Sequence, residues 1–123
     1  MALEKEGNQS IIRLPRFFNS AAVKTVIQTG HEALKEGADV LVVDFNGTDM
    51  IDSAGIGSLV SIAKDFKARG GKLTLRNLNA SIQELFFDSD LDKIFDIQTD
   101  QGIQTASVDL FKTYAEIRLD IKS

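Results

Sequence analysis

Residues 40–45, VLVVDF, restrict the fold of this chain more than any other stretch. The run is apolar up to its aspartate and rich in valine, a β-branched residue that favours strands. Continuous apolar runs of this kind are typical of strands whose two faces are both covered, as in α/β proteins. The sequence therefore predicts a buried strand over residues 40–45.

Strand and helix patterns alternate on both sides of this run. Short strand-like stretches lie at residues 10–14, 72–75 and 94–97, and a further strand is predicted at residues 2–5, before the first of them. Apolar side chains recur at helical spacing in the intervening segments. This spacing predicts four helices. The apolar face of each is marked, in chain order, by Val23, Val26, Ile27 and Leu34; by Ile56, Leu59, Val60, Ala63 and Phe66; by Ile82, Leu85 and Phe86; and by Ile103, Ser107, Leu110, Tyr114, Ile117 and Ile121.

Capping residues help to set the bounds of these elements. Either Asn19 or Ser20 can cap the first helix, and Gly37 is placed to end it. Strands alternating with helices through short connections predict an α/β fold with a largely parallel sheet and right-handed crossovers. We expect one domain over residues 1–123.

The composition restricts the classes of partner. The net charge is −4 and the basic residues form no run or stripe, which argues against nucleic-acid binding because phosphate contacts supply most of that affinity. The chain has no cysteine, so disulfides and thiolate metal sites are excluded. The opening MALEKEGNQS lacks the apolar core of a signal peptide, and no apolar run approaches the roughly 18 residues of a membrane span. We expect a cytoplasmic protein without membrane or nucleic-acid partners.

The segment MIDSAGIGSL, residues 50–59, raises the question of function. Ser53 follows an aspartate and precedes Gly55 and Gly57, where a helix is predicted to begin. Serine is a preferred N-cap and glycine permits close helix packing, so a structural role explains part of the pattern. Glycine inside a helix costs about 1 kcal/mol relative to alanine, and two in the first turn also suggest that backbone amides there must stay unobstructed.

Two catalytic or nucleotide-binding interpretations of this segment fit poorly. A G-x-S-x-G nucleophile elbow needs glycine where Ile51 stands, and the single histidine, His31, lies in the middle of the first predicted helix, as surface histidines often do. A dinucleotide fingerprint needs a third glycine where Val60 stands, and no P-loop lysine follows.

Three carboxylates near the end of the buried strand form another candidate site. Asp44, Asp49 and Asp52 could hold Mg²⁺, which takes hard oxygen ligands. The run DVLVVDFNGTDMID also echoes a response-regulator receiver, which is phosphorylated on an aspartate. A receiver should carry a second acidic cluster after its first strand, where this chain reads RLPRFF. We therefore expect solvated loop carboxylates.

Phosphorylation of Ser53 by a partner kinase is the remaining interpretation. A phosphate there would meet free backbone amides and the positive end of the helix dipole, so the fold would tolerate it. The modification would add about −1.5 to −2 charges to the surface. The binding face would change while the fold stays the same.

The stretch VLVVDFNGTDMIDSAGIGSLVSIAKDFKARGGKLTL resembles the core of the STAS domain of bacterial anti-sigma-factor antagonists. That family has an apolar strand, an Asp-Ser-Ser/Ala-Gly-Leu/Ile-Gly motif, an amphipathic helix, Gly-Gly and a strand. The later NLNASIQELFFDSDLDKIFDIQTD resembles the family's next helix and strand-turn segment. The resemblance implies a single STAS domain with a mixed, mostly parallel β-sheet and helices packed on one side.

The resemblance also implies a partner switch and not an enzyme. In this family the unphosphorylated antagonist binds an anti-sigma-factor serine kinase of GHKL type, which uses ATP and Mg²⁺ to phosphorylate the motif serine, and a PP2C-type phosphatase reverses the step. Matched residue by residue, Ser53 is the phosphoacceptor. No cofactor, metal ligand or catalytic residue is implied for this chain. The partner-binding surface is predicted to comprise Met50, Ile51, Asp52, Ser53, Ala54, Gly55, Ile56, Gly57 and Ser58.

One departure from the family pattern lies before the first helix. The family usually carries Gly-x-x-Asp where this chain has Arg16-Phe17-Phe18-Asn19, so Asn19 can still cap but lacks the charge. Some relatives with this domain are transporter-associated subunits or scaffolds. The alternative is therefore a non-switching docking subunit of an ABC transporter or signalling scaffold, in which Ser53 is only a cap.

Overall fold

The computed structural model describes residues 3–99 and 102–104 of the chain. In this part of the chain eight strands alternate with three α-helices and one 3₁₀ turn. The strands are β1 (Leu3–Glu6), β2 (Gln9–Arg13), β3 (Phe17–Phe18), β4 (Val40–Asp44), β5 (Met50–Ile51), β6 (Lys72–Arg76), β7 (Asp96–Thr99) and β8 (Gly102–Gln104). The helices are α1 (Ser20–Lys35), α2 (Ser53–Ala68) and α3 (Ala80–Asp88), and the 3₁₀ turn is Leu91–Lys93.

Six strands form the main sheet in the order β1-β2-β4-β6-β7-β8. The four inner strands run parallel to one another, and the two outer strands are antiparallel to their neighbours. Strands β3 and β5 form a separate parallel pair. The chain therefore has the mixed, mostly parallel α/β sheet that was predicted.

The three helices lie on one side of the main sheet. Each connects two neighbouring parallel strands, and the connections advance in one direction across the sheet, so right-handed crossovers bring all three helices to the same face. The core cluster joins the strand side chains of this face to helix side chains. Its members include Ile12, Leu41, Val43, Leu73 and Leu75 from the strands and Val26, Leu59, Ile62, Phe66 and Phe86 from the helices.

The predicted central strand is confirmed as β4. Leu41 and Val43 belong to the core cluster under the helices, whereas Val42 points to the other face and is 5% exposed. Both faces of β4 are therefore shielded from solvent, as its apolar run indicated.

The first helix has the bounds that its capping residues suggested. Of the two candidate caps the structure selects Asn19, whose side chain accepts a hydrogen bond from the amide of Ala21. The helix ends at Lys35 with Glu36 as its C-cap, and Gly37 follows with φ of +88°, a left-handed conformation that favours glycine. No helix in the described part of the chain is both long and apolar enough to cross a bilayer.

The predicted last strand differs in its bounds. Residues 94–97 were expected to be extended, but the strand begins at Asp96. The hydrogen bonds of the preceding 3₁₀ turn extend as far as Phe95 and keep residues 94 and 95 out of the strand. The amides of Ile94 and Phe95 both donate to the carbonyl of Leu91. Local hydrophobicity could not separate this turn from the strand that follows it.

The structure also corrects the start of the predicted C-terminal helix. Ile103 lies in β8, which pairs antiparallel with β7 and covers its otherwise free edge. The other marker positions of that predicted helix, from Ser107 to Ile121, lie outside the described residues.

Candidate functional site

Ser53 lies at the N-terminus of α2, at the edge of the sheet formed by the carboxyl ends of the parallel strands. Asp52 is the N-cap of this helix, and its carboxylate accepts a hydrogen bond from the amide of Gly55 at 2.9 Å. Ser53 is the first helical residue, so the expectation that it caps α2 was wrong. Aspartate caps as well as serine does, and the extended backbone of Asp52 gives it the cap position.

Ser53 consequently carries an available hydroxyl. The residue is exposed, and its hydroxyl has no hydrogen-bond partner among the described residues. The backbone amides of Ser53 and Ala54 likewise have no acceptor in the described part of the chain. An exposed hydroxyl and two free amide donors thus lie together at the positive end of the helix dipole.

The two glycines of the motif have different environments. A Cβ on Gly55 would lie 2.7 Å from the carbonyl oxygen of Phe18 and 2.9 Å from the side chain of Ile51. Glycine at this position therefore lets α2 pack against β3 and β5. A Cβ on Gly57 would meet no heavy atom within 4 Å, so packing does not require glycine there.

We expect the two glycines to respond oppositely to alanine. Gly55→Ala forces β3 away from α2 and should lower the free energy of unfolding by about 1–3 kcal/mol. Gly57→Ala should leave it unchanged or raise it by up to about 1 kcal/mol, because alanine is the better helix former. Urea unfolding of the two variants measures the difference, and a Gly55→Ala variant as stable as Gly57→Ala would contradict the packing role.

The predicted partner-binding residues divide by burial. Met50, Asp52, Ser53, Ala54 and Gly57 are exposed, and Ile56 is half-buried. The remaining three, Ile51, Gly55 and Ser58, face the interior, which corrects the expectation that all nine lie on the contact surface. The hydroxyl of Ser58 donates to the carbonyl of Gly55 at 2.7 Å.

Strand and helix periodicity explains these three exceptions. Ile51 alternates with exposed Met50 along β5, while Gly55 and Ser58 lie three residues apart on the inner face of α2. They shape the site from its inner side.

An exposed apolar pair lies in the two short strands that precede α1 and α2, and only the pairing of its two members went unpredicted. Phe17 and Met50 are aligned in the β3–β5 pair and are 49% and 60% exposed. The Arg16 guanidinium stacks over the Phe17 ring, 5.2 Å from its centroid, and its Nε lies 2.6 Å from a carboxylate oxygen of Asp49. Strands of two residues carry no periodicity, so this long-range pairing could not be predicted.

Asp44 does not have the environment that was expected of a solvated loop carboxylate. It is 1% exposed, and its carboxylate accepts hydrogen bonds from Arg13 Nη1 at 2.7 Å and Arg76 Nη2 at 3.2 Å. The side chain of Asn77 and the amide of Asn46 donate to its other oxygen. Burial alone raises the pKa of the Asp44 carboxyl, but these hydrogen bonds outweigh it and hold the pKa below its ordinary value.

The other two carboxylates of the predicted acidic group are separately engaged. Asp49 is half-exposed and paired with Arg16, and Asp52 caps α2. No group of three side chains suited to holding a metal ion occurs within the described residues. His31 is a surface residue whose imidazole lies 2.9 Å from Asp65, so it is not paired with Ser53.

The described residues combine a mixed, mostly parallel sheet, three helices on one of its faces, and an exposed serine after the aspartate cap of the second helix. The chain belongs to the STAS domain family, whose model matches residues 1–115.

Three solved structures show this fold at low sequence identity. The first is a putative anti-sigma factor antagonist from Thermotoga maritima, with 20% identity, a TM-score of 0.70, and coverage of 78% of this chain and 83% of that one. The second is the Bacillus cell fate determinant SpoIIAA in its phosphorylated form, with 22% identity, a TM-score of 0.64, and coverage of 81% and 92%. The third is a sulfate transporter family protein from Wolinella succinogenes, with 13% identity, a TM-score of 0.66, and coverage of 94% and 90%.

Proposed function

We propose that this chain is a phosphorylation-controlled partner-switching regulator and not an enzyme. The unphosphorylated form binds and sequesters an anti-sigma-factor serine kinase of GHKL type in the cytoplasm. Phosphorylation of Ser53 releases the kinase, and a PP2C-type phosphatase resets the switch. The observation that carries the proposal is the exposed Ser53 hydroxyl, which the Asp52 cap leaves free.

The environment of Ser53 suits a phosphate without a change of fold. The free amides of Ser53 and Ala54 can donate to phosphate oxygens, and the helix dipole favours negative charge at this end. The structural neighbour SpoIIAA is known in a phosphorylated form, so a fold of this kind accommodates the modification.

The surface around Ser53 suits a partner that the phosphate expels. Met50 and Phe17 present exposed apolar side chains, and Ala54 and Gly57 present little side chain at all. A partner packed against these residues would exclude water from the serine. A phosphate dianion at a dehydrated position is strongly unfavourable unless a cation pairs with it.

The proposal predicts an acid-stable phosphate on Ser53. Intact mass of the protein taken from its native cells, before and after mild acid and with the modified residue mapped, tests this. An acid-labile phosphate on Asp44 would indicate a receiver, although the bonds from Arg13 and Arg76 leave that carboxylate little room to react. Absence of phosphate under every growth condition would contradict the switch.

One structural neighbour favours a second candidate function. The sulfate transporter family protein from Wolinella succinogenes has the same fold, so this chain could instead be a non-switching docking subunit of a transporter or scaffold. The neighbouring coding regions discriminate between the two. A histidine-kinase-like ATPase and a PP2C phosphatase would favour the switch, and ABC transporter subunits would favour docking.

A further inference from the structure

The loop that leads to Ser53 is tied to the third helix by one side chain, that of Asn79. The oxygen of this side chain accepts a hydrogen bond from the amide of Ile82 at 2.8 Å and so caps α3. Its nitrogen donates to the carbonyls of Thr48 and Asp49 at 3.2 and 3.4 Å. The oxygen and the nitrogen of the Asn79 side chain therefore join α3 to the loop between β4 and β5.

The same loop is held from its other side by the segment after β2. Thr48 is 2% exposed, and its hydroxyl donates to the carbonyl of Pro15 at 2.9 Å. The amide of Asp49 donates to the carbonyl of Arg16 at 2.7 Å. The loop is consequently clamped between the β2–β3 connection and α3.

The clamped loop leads directly into the serine segment. Directly after the loop, Met50 and Ile51 pair with β3, and the amide of Asp52 donates to the carbonyl of Phe18 at 3.2 Å. Asp52 then caps α2, and Ser53 follows. A shift of the Thr48 and Asp49 carbonyls would therefore propagate through a two-residue strand to the serine.

The chemistry of the contacts requires asparagine at position 79. Backbone carbonyls can only accept and the amide of Ile82 can only donate, so the residue must supply one acceptor and two donors. Aspartate and serine cap helices about as well as asparagine. Aspartate has no proton to donate, however, and serine has only one.

We infer that Asn79 is a positioning residue that holds the Ser53 segment in the form presented to the kinase. The inference rests on the proposed function, because it names what sets the geometry of that same site. Asn79 itself is not a phosphoacceptor. It acts through the loop carbonyls and the β3–β5 pair.

The test uses Asn79→Asp, which keeps the cap and removes both donors. The hydrogen exchange of the Asp49 and Asp52 amides should become about five- to thirtyfold faster, the range that corresponds to the loss of one to two net hydrogen bonds. The initial rate of Ser53 labelling, by a dialysed extract of the native cells given radiolabelled ATP and Mg²⁺, should fall by a similar factor. The matched control is Ser81→Gly, which weakens α3 through helix propensity at an exposed position and leaves the clamp intact.

Each outcome distinguishes the possibilities. Faster exchange and slower labelling in Asn79→Asp alone would support the positioning role. Unchanged exchange, unchanged labelling, or equal slowing in Ser81→Gly would overturn it. If the wild-type chain is not labelled at Ser53, the proposed function fails and the presentation role fails with it, while the exchange rates still show whether Asn79 holds the loop.

Discussion

Replacing Ser53 with glutamate is expected to weaken binding of the partner kinase more than about a hundredfold. The substitution places an unpaired carboxylate among Met50, Ala54 and Gly57, in the contact surface that the proposal assigns to the kinase. A loss of about 3 kcal/mol in binding free energy corresponds to that factor. Calorimetric titration of the chain with the kinase that labels Ser53 measures it.

Two further variants separate the switch from other effects. Ser53→Ala should bind at wild-type strength and stay bound when ATP is added, because it cannot be phosphorylated. Ser61→Glu adds the same charge at an exposed position eight residues along α2, about 12 Å away along the helix axis, and should bind nearly as wild type. Equal affinities for Ser53→Ala and Ser53→Glu would contradict the switch.

Unfolding cannot account for the expected loss of binding. A carboxylate in the first turn of a helix interacts favourably with the dipole, typically by 0.3–1 kcal/mol. Ser53→Glu should therefore be at least as stable as the wild type in thermal unfolding. A lowered melting temperature would show instead that the N-terminus of α2 does not accept negative charge.

The elements that the sequence predicted best are those with periodic side chains. The run at residues 40–45 and the helical spacing from Ile56 to Phe66 identified β4 and α2 because each repeats its pattern over several residues. By contrast, β3 and β5 contain two residues each, and their pairing joins positions more than thirty residues apart. No local signal could have brought Phe17 next to Met50.

The details of the site depended on choices that local sequence leaves open. Asp52 and Ser53 are adjacent and both cap helices well, so only the backbone set by the contact with Phe18 decides between them. The environment of Asp44 depends in the same way on Arg13 and Arg76, which the parallel register of β2, β4 and β6 aligns with it. Motif reasoning singled out Ser53 but could not say what its neighbours do.

Asp44→Ala is expected to destabilise the fold by about 3 kcal/mol. The substitution removes a carboxylate that is 1% exposed and leaves Arg13 and Arg76 without it, while Arg76 Nε is already buried with no hydrogen-bond partner among the described residues. This loss of stability is at the low end of the range for breaking a buried ion pair, because the guanidinium groups of Arg13 and Arg76 are both partly exposed to solvent. Urea unfolding of Asp49→Ala gives the matched control, because the exposed Asp49–Arg16 pair should contribute only about 0–1 kcal/mol.

The pH dependence of stability tests the same carboxylate independently. The pKa of Asp44 is lower in the folded chain than its ordinary value of 3.8, so between the two values the unfolded state binds more protons than the folded state. This contribution is fully present well above pH 3.8 and is lost as the pH falls through the folded pKa. Asp44→Asn should lose less unfolding free energy than the wild type as the pH falls. Glu4 should account for part of the loss that remains, because the hydrogen bond from Arg13 lowers the pKa of its carboxyl. If Asp44→Asn and the wild type lose stability equally between neutral pH and pH 3, the hydrogen bonds at Asp44 do not favour its charged form.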